Sequence, residues 1–270
     1  MSLQFIMGNS GSGKSYCLYD TVVREAIENP DKNYLVIVPE QFTMQTQKDL
    51  CLAHPKGGIM NIDVLSFGRL AYRVFEEVGQ DARVVLDDEG KNLVLRKIAG
   101  ECEKDLKVFK GNLKKQGYIS EVKSVLSEFA QYGVDFERLD DFMKEVPPES
   151  YLHYKLDDIR TIYEKFEEYL SEKYITKEEM LDVLSDAVPY SDILKGSVVA
   201  MDGFTGFTPV QNRLIGELFS VCEKVMITVM MDGRENPYVY EHPYQIFALG
   251  KQMVTSLMKI AGEKKTEMFV

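Results

Sequence analysis

Residues Gly8-Asn-Ser-Gly-Ser-Gly-Lys14-Ser15 place two glycines around four intervening residues and follow them with a lysine and a hydroxyl. This is the G-x-x-x-x-G-K-[ST] spacing of a phosphate cradle, and each residue type has a chemical task in it. Gly8, Gly11 and Gly13 lack a Cβ, so the backbone can turn with positive φ and bring N–H groups up to phosphate oxygens. Asn9, Ser10 and Ser12 complete the loop. Lys14 is placed to reach the β- and γ-phosphates of ATP, and the Ser15 hydroxyl to join the shell of a Mg²⁺ ion.

A cradle of this kind needs a carboxylate at the end of a neighbouring strand to hold Mg²⁺ through water. The apolar run Ser197-Val-Val-Ala-Met-Asp202 ends in one, which makes Asp202 the metal candidate. ATPases that hydrolyse rapidly follow this aspartate with a glutamate that orients or deprotonates the attacking water. Here the next residue is Gly203. Metal support is expected and the base is absent.

The elements that must position these groups follow from the apolar spacing. Leu3, Phe5, Ile6 and Met7 read as a short buried strand, and a helix is expected over 14–29 with the positive end of its dipole aimed at the cradle. Tyr34-Leu-Val-Ile-Val-Pro39 reads as a parallel strand, Met60–Leu65 alternates like one, and Phe67–Val78 has helical spacing. Strands separated by helices imply βαβ units and a parallel sheet.

From Leu86-Asp-Asp-Glu89, which has the acidic first turn of a helix, only helical patterns run to about residue 188. The expected helices are 91–102, 118–132, 136–144, 154–173 and 177–187, broken at Gly111, Gly117, Gly133 and Pro147-Pro148. Strand character returns over 197–202 and 224–232, with a helix over 209–220 between them. The expected architecture is an α/β parallel-sheet domain, residues 1–86 and 196–270, interrupted by an all-helical insertion over 87–195.

No apolar run reaches the 18 or more residues of a membrane-spanning helix. Cys17, Cys51, Cys102 and Cys222 show no C-x-x-C spacing and read as reduced thiols of a cytoplasmic protein. His54, His153 and His242 are equally dispersed, so no metal site built on His and Cys is expected. Net charge is −11, which argues against a uniformly basic nucleic-acid surface. Most of that charge lies in 87–195; the motif-bearing flanks are near neutral and leave a local DNA groove open.

Met201-Asp-Gly-Phe-Thr-Gly-Phe-Thr-Pro-Val-Gln211 resembles motif II of superfamily 1 helicases of the UvrD/Rep/PcrA type, with Asp202, Phe204 and Gln211 in matching places. It departs from that motif at Gly203, Thr205 and Gly206. Val38-Pro-Glu-Gln-Phe-Thr43 stands where those helicases have motif Ia, and Leu65-Ser-Phe-Gly-Arg69 where they have motif Ib. This degraded set, in this order and with the helical insertion, is similar to the N-terminal region of the AddB (RexB) subunit of bacterial AddAB-type helicase-nucleases. The likeness covers nearly the whole chain.

The resemblance implies a P-loop NTPase, RecA-like fold and a chain that corresponds to the start of a far longer protein, with Glu267-Met-Phe-Val270 as an artificial truncation. It implies ATP and Mg²⁺ as ligands, an AddA-type helicase subunit as heterodimer partner, and single-stranded DNA and duplex ends as substrates. It implies a role in recombinational repair of double-strand breaks, with a decayed motor. Gln41, Phe42, Thr43, Ser66, Phe67 and Arg69 become the DNA-binding candidates; Tyr72 and Arg73 read as packing and surface. A nuclease domain and an iron–sulphur cluster are expected only outside this chain, so no catalytic residue is assigned here. Hydrolysis is expected to be negligible, because a second RecA-like domain and its arginine are also missing. The rival readings are a small-molecule kinase or other P-loop enzyme, and a scaffold with a vestigial loop.

Overall fold

In the first part of the chain the strands are short, largely apolar runs, and the helices Lys14–Glu28 and Phe67–Val78 each present one apolar face. The computed structural model describes residues 1–79, 83–113, 115–171 and 173–269. In chain order β1 (Ser2–Gly8) leads through the glycine loop to α1 (Lys14–Glu28), β2 (Tyr34–Ile37) through a single 3₁₀ turn to α2 (Thr43–Ala53), and β3 (Ile62–Leu65) to α3 (Phe67–Val78). Then come β4 (Val84–Leu86), α4 (Asp88–Cys102), α5 (Gln116–Tyr132), α6 (Phe136–Glu145), α7 (Tyr151–Leu170), β5 (Tyr174–Thr176) and α8 (Lys177–Ala187). The chain closes with β6 (Val198–Met201), α9 (Pro209–Val221), β7 (Lys224–Met230), α10 (Ala248–Glu263) and β8 (Glu267–Phe269). Val270, the last residue of the expected truncation, lies outside the described residues.

The chain divides into two compact units, Met1–Gln80 with Leu181–Val270, and Asp81–Met180. The first holds a six-stranded sheet in the order β3-β2-β6-β7-β1-β8, and its five strand pairs are parallel. Its centre is dry. β2 and β6 are buried along their whole length, as expected of strands covered by helices on both faces. Leu18, Val22 and Ala26 of α1 pack with Tyr34, Val36, Val198 and Met226. Near the end of β7, a Cβ at Gly250 of α10 would stand 2.5 Å from the Met230 carbonyl oxygen, so this close helix–strand approach requires glycine.

The second unit packs α4, α5, α6 and α7 around Leu95, Ile98, Cys102, Ile119, Val122 and Ile162. The buried Asp158 carboxylate organises the turn after α4, accepting from the backbone N–H groups of Lys107, Val108 and Phe109 at 2.7–2.8 Å. Lys91, also buried, donates to Glu178 at 2.7 Å and to Ser127 at 3.2 Å.

Several elements differ from the sequence reading. The stretch that reads as wholly helical contains β5, paired in parallel with β4; at three residues it is too short for a period of two to register between two helices. Helix α7 starts three residues early because Ser150 caps it, its hydroxyl accepting from the His153 N–H at 3.1 Å. The sequence reading includes neither α2 nor α10; α10 carries Met253, Val254, Leu257 and Ala261 at helical spacing, whereas the spacing of α2 is weak. Only Thr43, Thr46 and Leu50 of α2 are buried, a face too polar to register as an apolar stripe.

Candidate functional site

Parallel strands of matched register bring the motif residues to one edge. Ile37 pairs with Leu65 and with Met201, Met201 with Ile227, and Gly8 with Met230. The segments following β1, β2, β3, β6 and β7 therefore all leave the carboxyl end of the sheet, where open α/β folds bind ligands.

The glycine loop is exposed and tightly turned. Gly11 and Gly13 have φ of +74° and +88°, the left-handed region that glycine adopts without a Cβ clash. A Cβ at Gly8 would meet the Ser12 hydroxyl at 2.4 Å. Gly13 caps α1 without a side chain, so no side-chain oxygen takes the first-turn N–H groups. The Lys14 ammonium is folded inward onto the Asn9 carbonyl at 2.7 Å. Ser15 sits beside it, exposed, on the first turn of α1.

Asp202 lies just beyond β6, 7% exposed, with both carboxylate oxygens engaged. The Tyr19 hydroxyl donates to Oδ2 at 2.7 Å and the Thr228 hydroxyl to Oδ1 at 2.6 Å. Burial, together with the Asp202 charge, holds the Tyr19 phenol well above its ordinary range. The sequence reading places Asp202 on a strand neighbouring the cradle strand, but β7 runs between β6 and β1. Thr228 of that intervening strand is what reaches Asp202.

A second strand-end aspartate escapes the sequence reading. β7 is the direct neighbour of β1, and Met231 N–H donates to the Gly8 carbonyl at 3.0 Å. Asp232 follows and receives the Arg234 guanidinium at 2.6 Å, with the Arg234 backbone N–H at 2.9 Å. These bonds, with a smaller one from the Asn9 side chain, hold its carboxyl far below the usual carboxylate range. A signal for it exists, since Lys224–Asp232 is an apolar run ending in Asp just as 197–202 is.

Gly203 has φ of +79°. A Cβ there would lie 3.5 Å from Pro39 and 3.7 Å from the Phe42 ring. The backbone at this position is therefore shaped for glycine and sits against the segment after β2. Gln211, matched to a helicase motif by sequence, here closes a capping box with Thr208 at the start of α9.

The DNA candidates cluster at the ends of β2 and β3 but differ in access. Gln41, Phe42 and Arg69 are exposed, whereas Thr43, Ser66 and Phe67 are buried. The Thr43 hydroxyl donates to the Glu40 carbonyl at 3.0 Å. Ser66 caps α3 and donates to the Glu40 carboxylate, which also pairs with Arg69 at 3.4 Å. Phe67 packs on Phe204 and Phe207 with ring centroids 5.4 and 6.4 Å away. The segment after β6 thus rests on the start of α3 through three aromatic rings, a contact that the one-dimensional pattern does not announce.

The four cysteines are unpaired. Among the described residues no group of three or more His, Cys, Asp or Glu side chains could hold a metal ion, and no helix is long and apolar enough to cross a membrane.

A family model described as ADDB, N-terminal, matches residues 5–270. The chain is 45% identical over 268 residues to the B subunit of the ATP-dependent helicase/deoxyribonuclease of Lachnoclostridium phytofermentans, covering 99% of this chain and 23% of that relative. Proteins of the same name from Clostridium tetani and Alkaliphilus metalliredigens are 37% and 35% identical, each over 86% of this chain and 20% of their own length. The chain spans about a fifth of the length of these curated relatives.

Proposed function

The chain belongs to the AddB N-terminal family, and on that premise we propose that it is the ATP-binding, helicase-like first region of the B subunit of a DNA helicase-nuclease that processes double-strand breaks. In this reading residues 1–86 and 196–270 are a RecA-like P-loop domain and 87–195 its helical insertion. The observation that carries it is the combination of an open Gly8–Ser15 loop with an ordered carboxylate, Asp202, at the same sheet edge and glycine at 203.

The residues present fit a magnesium nucleotide. Gly8 leaves room that a Cβ would fill, Gly11 and Gly13 turn the backbone, and no side chain caps the first turn of α1. Asn9, Ser10, Gly11, Ser12 and Gly13 would present backbone N–H groups to the phosphates, and Lys14 would turn from the Asn9 carbonyl to reach them. Ser15 would supply a hydroxyl to Mg²⁺, with Asp202 supporting it through water. Mg²⁺, when bound, neutralises phosphate charge and stiffens the ligand.

The same geometry argues for binding without turnover. The position of the usual glutamate is a left-handed glycine, so that position supplies no general base. In phosphoryl transfer of this type an arginine supplied by a second domain or a partner is worth about 10³–10⁵ in rate, so turnover would depend on one being supplied. Nucleotide occupancy therefore biases domain closure on DNA rather than powering translocation. The AddA-type partner, which supplies the motor, and the nuclease domain with its iron–sulphur cluster lie outside this chain. Gln41, Phe42 and Arg69 form the exposed part of the DNA surface, one ring to stack a base and polar groups for phosphate. Thr43, Ser66 and Phe67 hold that surface in place.

Calorimetry with a non-hydrolysable ATP analogue and Mg²⁺, on the folded chain and on Lys14→Ala, tests the reading. Binding that is lost in the variant supports it. Equal binding by both, or none by the wild type or by the longer protein, would overturn it.

A further inference from the structure

We propose that Tyr19 is a positioning residue that couples the nucleotide loop to the Gln41–Thr43 segment, by sharing its hydroxyl between Asp202 and Thr46. The inference rests on the nucleotide reading above and adds to it the route by which occupancy is felt elsewhere.

Tyr19 lies four residues after Ser15 on α1, one turn further along the same helix face. Its hydroxyl is 2.7 Å from Asp202 Oδ2 and 3.3 Å from Thr46 Oγ1. All three side chains, and Thr228 on the other carboxylate oxygen, are at least nine-tenths buried, so water does not compete for these bonds. Thr46 is on the first turn of α2, three residues after Thr43. The hydroxyl thus stands between the carboxylate of the proposed metal position and the helix that carries the segment proposed to meet DNA.

A phenol has one proton to give, so this arrangement has two discrete states. With Asp202 facing inward, the Tyr19 O–H donates to its carboxylate, a charge-assisted bond that outcompetes a hydroxyl acceptor. Were the Oδ2 lone pairs engaged by the water shell of a bound Mg²⁺, the Tyr19 O–H would rotate to donate to Thr46 Oγ1, and the Thr46 hydroxyl would give up the Tyr19 oxygen as its acceptor. The start of α2 is then held differently. At Gly203, covalently next to Asp202, a Cβ would touch Pro39 and Phe42, so the same strand end faces the same segment at a second point. Coupling of this kind needs an element with two arrangements that both ligands bias, and the shared hydroxyl is one.

The test measures affinity of the 270-residue chain for a fluorescent oligothymidylate, with and without a saturating Mg²⁺–ATP analogue, for wild type, Thr46→Val and Tyr19→Phe. In the wild type the analogue is expected to change the oligonucleotide Kd by about 5-fold, a typical coupling. Thr46→Val keeps the Tyr19–Asp202 bond and binds each ligand alone as the wild type does, yet its ratio falls to about one. Tyr19→Phe, which removes the bridge from the other side, shows the same loss of coupling and guards against a folding defect in either variant. Retention of the wild-type ratio in both folded variants overturns the proposal, as does a wild type that binds both ligands with no coupling. A wild type that fails to bind the analogue, or binds it as Lys14→Ala does, instead removes the nucleotide reading and this inference with it.

Discussion

A Cβ at Gly203 would stand 3.7 Å from the ring of Phe42, and the backbone there has φ of +79°. Position 203 is where a hydrolytic glutamate would be sought, and its backbone is left-handed. Gly203→Glu is therefore expected to cost about 1–2 kcal/mol of stability from the left-handed conformation alone. It should not create ATP hydrolysis, since the side chain would leave toward Pro39 and Phe42. Urea unfolding and a phosphate-release assay read the two halves; rapid release by the variant would contradict the account.

Thr228 supplies one of the two hydroxyls on Asp202, from a strand that separates the carboxylate from the cradle. Thr228→Val keeps the shape and deletes the donor. Leaving a buried carboxylate one bond short is expected to cost about 1–3 kcal/mol. Denaturant midpoints for wild type and variant measure it, and an unchanged midpoint would mean that Asp202 finds another partner.

In the helical unit Asp158 gathers three backbone N–H groups of the 107–109 turn. Asp158→Ala strands all three without an acceptor, at a cost of about 3 kcal/mol or more. Amide hydrogen exchange at Lys107, Val108 and Phe109 should accelerate far more than exchange in β6 or β7, because the bonds lost are local to that unit.

Glu167 should make the stability of the helical unit pH-dependent. Burial, then the neighbouring Glu179 charge, raises its carboxyl from 4.5 to about 7. Below the unfolded value both states are protonated and nothing is lost. As pH rises from about 4.5 the unfolded chain ionises first, so stability falls until the folded group also ionises near pH 7. Glu167→Gln should thus be more stable than wild type at pH 8 by about 1–2 kcal/mol, less than the full shift implies because the group is partly solvated, with the gap closing toward about pH 4.5. Thermal melts of both proteins across that range decide it; a gap that widens at low pH would reverse the assignment.

Local chemistry in the amino-acid order is enough to locate the phosphate loop, since Gly8 to Ser15 are contiguous and their spacing alone states what they can touch. The same holds for β1, β2, β6, β7 and most helices, whose apolar periods are strong and whose caps, such as Asp87 and Thr208, stand in sequence. β5 and α2 escape it because their patterns are short or largely polar, and they are held by neighbours rather than by their own periodicity. Side-chain partnership is beyond its reach for a different reason. That Asp202 is bracketed by Tyr19 and Thr228, residues 183 and 26 positions away, depends on strand order and helix rotation, which no single segment encodes. Burial divides the DNA candidates in the same way: Ser66 and Phe67 are adjacent to an exposed surface in sequence, but the start of α3 turns them inward and leaves Arg69 outside. Residue types settle what chemistry is available, and the parallel packing of the sheet decides which groups can share a proton.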